Sequence, residues 1–262
     1  MAPKEITKTK ILMCEPVPAG KEAPPHRAWW KKTAESVARP GVTLDFINLK
    51  KGYMGITTYE QAYNGVQMAQ RAYEAEKKGY DAFIIGCASD MALKECRALA
   101  NIPVVAPTEA SSLLASTLGE KFSVIDLQTF TRPVIEGAVR NAGVLSKLAS
   151  IRSPEGLNAG IAFKMTFGGE ADKLIELLIA EMRKAVKEDG AEALFVSCIV
   201  TSALVSEKGI REVAGAPVID ILAASLKMAE ALVDLKRVYG IGVNRSSIYI
   251  SPSPGWEKQV AD

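Results

Sequence analysis

The sequence is poor in several features that point to common protein classes. It has one histidine and four cysteines, none of them in a CxxC pair, so we expect neither a structural zinc site nor a disulfide framework. The first apolar run, Ile11 to Cys14, is too short for a signal peptide or a membrane span. Its 32 basic and 30 acidic residues form no basic tract, which argues against nucleic-acid binding. We therefore expect a cytoplasmic protein with free thiols and without a membrane or nucleic-acid partner.

The composition is that of a globular protein. Hydrophobic residues make up 48% of the 262 positions and charged residues 24%. A chain of this length forms one large domain or two modest ones and can bury a sizeable core.

The chain repeats itself once, with an offset of 111 residues. The stretch KKGYDAFIIGC, which ends at Cys87, corresponds to EDGAEALFVSC, which ends at Cys198. Beyond the cysteines, Pro103-Val-Val corresponds to Pro217-Val-Ile, with three extra residues in the second copy. Landmarks kept in the same order indicate an internal duplication.

Each copy contains the same predicted elements in the same order. Two strands are followed by a long amphipathic helix, an apolar strand that ends at the cysteine, a second helix and a last strand. In the first copy these are Lys10–Cys14, Val42–Leu49, Tyr59–Lys78, Ala82–Gly86, Met91–Ala100 and Val104–Ala106. In the second copy they are Phe122–Leu127, Leu148–Arg152, Glu170–Asp189, Ala193–Val196, Leu204–Ala214 and Val218–Ile219.

This alternation of strands and helices predicts an α/β fold with two pseudo-symmetric domains. Each domain is a short parallel sheet flanked by helices, and the active site lies in the cleft between them. We place the first domain at residues 1–112 plus 223–262, because a last helix of about Ala223 to Tyr239 can pack back on it. The second domain is residues 113–222.

Both repeated cysteines fall where parallel sheets bind ligands, at the carboxyl ends of strands. Two thiols facing one cleft can exchange the roles of base and acid, which inverting a carbon acid requires. The residues after each cysteine open a helix in this interpretation, and their N–H groups would stabilise the developing negative charge. A single cysteine at a strand end is more often a core residue, but the matched pair favours catalysis. Cys14 and Cys96 have no such counterpart, so we expect them to be structural.

The cysteine segments resemble those of a known family. The stretch from Asp81 to Asp90, DAFIIGCASD, is similar to the first catalytic-cysteine segment of hydantoin racemases, and GAEALFVSC, from Gly190 to Cys198, to the second. PVVAPTEA after Asn101-Ile102 and KFSVID from Lys121 are similar to stretches that follow in the same order. The chain thus resembles the aspartate/glutamate/hydantoin racemase superfamily, which also includes maleate cis–trans isomerases and arylmalonate decarboxylases.

The resemblance implies a cofactor-independent enzyme with Cys87 and Cys198 as catalytic residues. It also implies a small-molecule substrate between them, anionic or able to form an enolate, and we expect a homo-oligomer. Substrate contacts are implied for the residues that follow each cysteine: Ala88, Ser89, Asp90, Ile199, Val200 and Thr201. The bulky Ile-Val pair replaces a small glycine-containing stretch of hydantoin racemases, which favours a more apolar pocket.

Several further residues have two interpretations. Many superfamily members have Asn-Pro after the first strand, whereas this chain has Glu15-Pro16, either a substrate contact or a surface carboxylate. In Gly55-Ile-Thr-Thr58, Thr57 and Thr58 are a helix cap or a substrate contact. Glu109 and Ser111 face the cleft or lie in a solvated loop. We expect Trp29 and Trp30 to pack on a helix or a second subunit, and His26 to be a surface residue.

These features predict a racemase or epimerase of a carbon acid, such as a hydantoin or an amino-acid derivative. A maleate-type cis–trans isomerase with a cysteine nucleophile is the alternative within the superfamily. A small-molecule binding or sensor protein without turnover is the alternative from another class.

Overall fold

The structure is a computed structural model that describes residues 8–18, 24–54 and 57–259. Gly55 and Ile56, which precede the first long helix, lie outside the described residues. Among the described helices, none has the length and apolar composition needed to cross a membrane.

The first half of the chain forms one parallel sheet with its helices. Strands β1 to β4 are Thr9–Pro18, Val42–Leu49, Ala82–Ile85 and Val104–Val105. Helices α1 to α4 are His26–Val37, Thr58–Lys77, Leu93–Leu99 and Pro107–Leu118.

The second half forms another sheet. Strands β5 to β9 are Phe122–Ile125, Leu148–Arg152, Ala193–Val196, Glu212–Val213 and Ala216–Ile219. Helices α5 to α9 are Arg132–Asn141, Ala159–Phe167, Ala171–Asp189, Ile199–Glu207 and Ile221–Tyr239.

The two sheets have the same strand order, which confirms the predicted α/β fold class. The first runs β2-β1-β3-β4 and the second β6-β5-β7-β9, with β8 added at its edge. Neighbouring strands are parallel except for the β8–β9 pair. Cys14 pairs with Ile85 in the first sheet, and Ile125 pairs with Val196 in the second, so the strand ends that precede the repeated cysteines have matching neighbours.

The prediction for the helix after the second cysteine is wrong. The helix begins at Ile199, directly after Cys198, instead of at Leu204, and it ends at Glu207. Glu212–Val213 is a strand. The β-branched run that follows Cys198 favours a strand by propensity, but burial of the helix on nearly every side overrides that preference.

One buried cluster connects the two halves. It contains Ile11 and Ile84 of the first sheet together with Phe122 and Phe195 of the second. Helix α9 packs on α4 and on strands of the first sheet, and it also contacts α1 and α8. Because α1 and α9 each contact both halves, the domain boundaries given above stay predictions.

Candidate active site

The backbone before Cys87 is held very close to the neighbouring strand. The Gly86 N–H donates to the Cys14 carbonyl at 2.8 Å. A Cβ on Gly86 would lie 2.6 Å from that same oxygen, so no side chain fits there. Glycine at this position therefore lets the chain turn out of the sheet and present Cys87 at the strand end.

The loop from Cys87 to Ala92 is fixed to the start of α4. The Asp90 carboxylate accepts the backbone N–H groups of Thr108 and Glu109 at 2.9 and 2.7 Å. The Thr108 hydroxyl donates to the Ala88 carbonyl at 2.6 Å. Burial raises the pKa of Asp90 to about 8, against the lowering effect of the two N–H donors. Asp90 thus holds the loop in place by capping a helix, a role that its sequence context did not predict.

Cys198 has a different backbone environment from Cys87. It is the N-cap residue of α8, with φ −148° and ψ 119°. After Cys87, by contrast, the chain forms a turn with left-handed conformations at Asp90 and Ala92 before α3 begins at Leu93. The prediction that both cysteines open a helix is correct only for Cys198, because Asp90 takes the chain out of helical geometry.

Each thiol has a hydroxyl neighbour. The Sγ atom of Cys87 lies 3.2 Å from the Ser89 Oγ. Burial raises the pKa of Cys87, and the Ser89 hydroxyl and N–H lower it. Burial also raises the pKa of Cys198, and the Thr201 side chain and the N–H groups of Val200 and Thr201 oppose this. The fully buried Thr201 Oγ1 has no hydrogen-bond partner of ideal geometry among the described residues.

The two thiols also interact with each other. After burial and the Ser89 contacts, the charge of Cys198 is the next cause that raises the pKa of Cys87, and the charge of Asp90 follows. After burial and the donors named above, Asp126 raises the pKa of Cys198. Both cysteine residues are half-buried. Ionisation of one thiol therefore affects the other, and the carboxyl groups that act on the pair are Asp90 and Asp126.

Asp126 is a site neighbour that the sequence interpretation missed. It follows β5 and is 4% exposed. Its carboxylate accepts the Ser197 hydroxyl at 2.8 Å and the Thr131 hydroxyl. Asp126 lies 111 residues after Glu15, at the offset of the repeat, so aligning the two acidic residues could have found it.

Glu15 is a buried residue, so its interpretation as a surface carboxylate is wrong. It is 4% exposed. Arg27 Nε donates to Glu15 Oε1 at 2.7 Å, and His26 Nε2 lies 3.0 Å from Oε2. His26, 8% exposed, is likewise not the expected surface residue, and its ring packs on Trp30 with centroids 4.4 Å apart. The sequence did not show this cluster because its members are brought together by the fold across a proline-rich stretch.

The remaining predicted site residues lie in defined places. Thr57 caps α2 and forms a capping box with Glu60, and Thr58 is the first helical residue; both threonines are exposed. Glu109 forms an ion pair with Arg97, with Oε1 2.9 Å from the guanidinium. Ser111 is fully buried on α4.

The alternative of a solvated loop for Glu109 and Ser111 is therefore wrong. For the two threonines, contact with a substrate stays a prediction. Ile199 and Val200 are 4% and 6% exposed in the core that both halves share. Cys14 and Cys96 are fully buried, as expected of structural residues, and burial raises the pKa of Cys14 to about 12.

A groove of about 330 Å³ lies beside the Cys87 loop and contains neither cysteine. Ser89, Asp90, Glu109 and Tyr249 are among its lining residues. Over the described ranges, the acidic, cysteine and histidine side chains form no cluster of three or more suited to holding a metal ion.

Comparison with known proteins identifies the family. Residues 30–229 match the family described as Asp/Glu/Hydantoin racemase. The hydantoin racemase of Pseudomonas sp. (strain NS671) is 31% identical over 204 residues, which cover 77% of this chain and 78% of that protein. The hydantoin racemase of Paenarthrobacter aurescens is 29% identical over 228 residues, or 86% of this chain and 90% of that protein.

Solved structures agree on the fold. The allantoin racemase from Pseudomonas fluorescens superposes with a TM-score of 0.80 at 24% identity, covering 94% of this chain and 98% of that one. The chain therefore belongs to the Asp/Glu/hydantoin racemase family, and it is an isomerase of the racemase type.

Proposed function

We propose that the chain inverts a carbon acid by proton transfer between Cys87 and Cys198. The observation that carries this proposal is the matched placement of the two thiols. Cys87 follows β3, which lies beside β1, and Cys198 follows β7, which lies beside β5. Both cysteines are half-buried, and the charge of one thiol affects the pKa of the other. One thiolate removes the proton from the chiral carbon, whose electron pair moves into an adjacent carbonyl to form an enolate. The other thiol then delivers its proton to the opposite face.

The hydrogen-bond donors near the sulfurs support this chemistry. The N–H groups of Val200 and Thr201 lie in the first turn of α8, where the helix dipole favours negative charge. The Thr201 hydroxyl is buried beside Cys198, without a well-formed hydrogen bond to the described residues. These groups are suited to stabilise an enolate oxygen between the thiols.

The charges around the thiols favour a neutral substrate. The Asp126 charge raises the pKa of Cys198, whereas Asp90, whose own pKa burial raises to about 8, acts on Cys87 as a charge only once it ionises. The cations that act on these two carboxylates are Arg97, which is paired with Glu109, and Arg132. Arg27 is engaged by Glu15 and by the Asn48 side-chain amide oxygen. A dicarboxylate such as glutamate or maleate would bring two further negative charges beside a thiolate and Asp126, which is less favourable than binding an uncharged ring. We therefore propose a five-substituted hydantoin or a related uncharged cyclic ureide as the substrate class.

The test is proton NMR in D2O with single-enantiomer hydantoins, free amino acids and maleate. We expect loss of the C5 proton signal and racemisation of a hydantoin by the wild-type enzyme, with no change in glutamate or maleate. Cys87→Ala and Cys198→Ala should each abolish racemisation, by about a thousandfold or more. The buried pair Cys14→Ala and Cys96→Ala are matched controls, and their turnover per folded molecule should stay near the wild-type level.

Three outcomes would contradict the proposal. Racemisation that survives loss of either Cys87 or Cys198 would exclude the two-thiol mechanism. A stable thioether formed with maleate would favour the cis–trans isomerase alternative. Turnover of glutamate without turnover of hydantoins would contradict the substrate class and leave the mechanism intact.

A further inference from the structure

Trp30 connects the first half of the chain to the helix that carries Cys198. It lies on α1, is fully buried, and donates its indole N–H to the Ile199 carbonyl at 3.2 Å. Ile199 is the first residue of α8 and follows Cys198 directly. The hydrogen bond thus reaches the peptide unit next to the second thiol from a helix 169 positions earlier.

The same helix also reaches the end of the strand next to Cys87. His26, one turn before Trp30, packs on the indole ring and lies 3.0 Å from Glu15 Oε2. The Cα of Glu15 lies 3.2 Å from the position that a Cβ on Gly86 would occupy, and Gly86 precedes Cys87. Helix α1 therefore contacts both the end of β1, beside Gly86, and the start of α8, beside Cys198.

Several contacts keep α1 in a fixed position against the second half. Lys32 Nζ donates to both carboxylate oxygens of Glu207 at 2.9 Å, at the last residue of α8. The Thr33 hydroxyl donates to Asp220, which caps α9. Together with the packing of α1 on α8 and α9, these contacts place the Trp30 indole against the start of α8.

A donor at this carbonyl restrains the part of α8 that matters for the thiol. The first turn of a helix is its least restrained part at that end, since its N–H groups lack intrahelical acceptors. Here the N–H groups of Val200 and Thr201 interact with the Cys198 sulfur. A rotation of the first peptide units would turn these donors away from it.

We propose that Trp30 is a positioning residue for Cys198, whose indole N–H holds the first turn of α8 so that its backbone donors face the thiol. This inference rests on the proposed two-thiol function for its catalytic consequence. Its structural part concerns the reactivity of one thiol and can be measured without any substrate.

The test compares Trp30→Phe with Trp29→Phe. Phenylalanine at position 30 keeps an aromatic ring beside His26 and removes the N–H donor together with part of the indole's buried volume. Trp29 is the matched control, since its ring stacks on Phe167 and, among the described residues, its indole N–H has no hydrogen-bond acceptor. The protein is labelled with iodoacetamide, digested with trypsin and analysed by mass spectrometry. Trypsin places the two thiols on separate peptides, because it cleaves at Lys187 and Lys208 around Cys198 and at Lys78 and Lys94 around Cys87.

We expect Trp30→Phe to slow alkylation of Cys198 about threefold to tenfold at neutral pH and to move its pH profile to higher pH. Among the described residues, Asp126 and the Cys87 thiol are the charged groups whose effect on this thiol is resolved, and neither is changed by the substitution. Alkylation of Cys87 should change less than twofold, and Trp29→Phe should change neither thiol. Equal slowing of both thiols, or no change at Cys198, would overturn the proposal.

The catalytic consequence is measured as deuterium exchange with each enantiomer separately. The enantiomer whose proton Cys198 removes is the one that loses deuterium exchange in Cys198→Ala. Trp30→Phe should slow exchange of that enantiomer by the same factor as alkylation and leave the other hand nearly unchanged. A loss shared equally by both hands would show a general structural role and contradict the proposal, whereas absent exchange in the wild type would contradict only the proposed function.

A second measurement covers the case in which Trp30→Phe does not fold. The chain has three tryptophans, so the wild-type protein labelled with ¹⁵N gives three indole N–H signals. Alkylation of Cys198 should shift the Trp30 signal, which the proposal couples to the first turn of α8, and leave those of Trp29 and Trp256 in place. An unmoved Trp30 signal would contradict the coupling.

Discussion

The two thiol-bearing strand ends have the same place in the fold but different chemistry. The strand orders match, and both cysteines follow the third strand of their repeat. Cys87 leads into a turn that Asp90 fixes to α4, and its sulfur lies beside the Ser89 hydroxyl. Cys198 caps α8 and has backbone N–H neighbours. A duplicated fold therefore fixes where the two groups lie, and the residues that follow each one set its protonation.

The largest effect that we expect from the protonation of the two thiols is a change of kcat/KM with pH. Burial raises the pKa of both thiols above the ordinary value of 9.0. Because a raised pKa leaves less thiolate at neutral pH, kcat/KM should increase about tenfold per pH unit, or about a hundredfold between pH 6.5 and 8.5. It should fall again once both thiols ionise, since the proton-donating thiol is then lost. The two apparent pKa values of this profile describe the coupled pair and not the individual cysteines.

The measurement is kcat/KM from pH 6 to 10.5 with an N3-methylated hydantoin, which has no acidic N–H between its two carbonyl groups and stays uncharged over this range. A flat profile between pH 6.5 and 8.5 would show that one thiol is already ionised at neutral pH. That result would contradict the effect of burial and favour a thiol–thiolate pair stabilised by the donors of α8.

The next largest effect concerns the stability of variants at Gly86 and Ser197, the residues that precede the two cysteines. Gly86 has no space for a Cβ, because the Cys14 carbonyl lies 2.6 Å away, whereas the equivalent Ser197 already carries a side chain. Gly86→Ala must push β1 and β3 apart, and we expect it to lower the free energy of unfolding by about 2–3 kcal/mol. Ser197→Ala removes the hydrogen bond to Asp126, at a cost of about 1 kcal/mol.

Urea unfolding of both variants checks this difference. Equal losses at the two positions would show that the first sheet can relax as the second one does. The asymmetry in how the chain leaves the two sheets would then be smaller than the structure indicates.

The matched strands and cysteines were predictable because hydrophobic runs and the repeat offset are written directly in the sequence. The bounds of β2 and β6 agree with the prediction at both ends. Helix α6 was missed because AGIAFKMTF is apolar at nearly every position, which hides the helical period, although Asn158 caps it. The helix predicted from Leu204 begins five residues earlier in the structure, because Ile-Val-Thr after Cys198 is typical of strands and obscured the helical start.

The site contacts were less predictable than the elements. The buried cluster of Glu15, His26 and Arg27 depends on how α1 packs across the end of β1, which no local pattern encodes. The same holds for the hydrogen bond from Trp30 to Ile199. Local sequence determines where a strand ends, but tertiary packing determines which side chains meet there.

Exchanging the neighbours of each thiol separately gives a smaller effect. Asp126→Asn removes a charge that raises the pKa of Cys198, so alkylation of Cys198 should become about threefold faster. The amide can be accommodated, because Thr131 also donates to the Gln128 carbonyl and can accept from the new N–H group. Ser89→Ala removes the donor to Cys87 and should slow alkylation of Cys87 by a similar factor.

Each variant serves as the control for the other. Alkylation of both thiols is measured in both proteins at pH 7.5, and the two effects should lie on different peptides and have opposite signs. Changes of the same sign at both thiols would show that one shared field, and not the residues next to each sulfur, sets the protonation.

The smallest expected effect concerns the starts of the two long helices. Thr57 caps α2 in a capping box with Glu60, whereas Glu170 at the start of α7 makes no side-chain cap. Thr57→Ala should lower the free energy of unfolding by about 1 kcal/mol, and Glu170→Ala should change it by less than about 0.5 kcal/mol. Thr57→Ser keeps the hydroxyl and should restore the stability.

The same variants separate the two interpretations of Thr57. A residue that only caps α2 changes the stability and leaves KM for a hydantoin unchanged in all three proteins. If Thr57 also contacts the substrate, KM rises in Thr57→Ala and returns with Thr57→Ser, because the hydroxyl serves both purposes. An increase of KM in Thr57→Ala without loss of stability would contradict the capping box and assign the hydroxyl to the substrate alone.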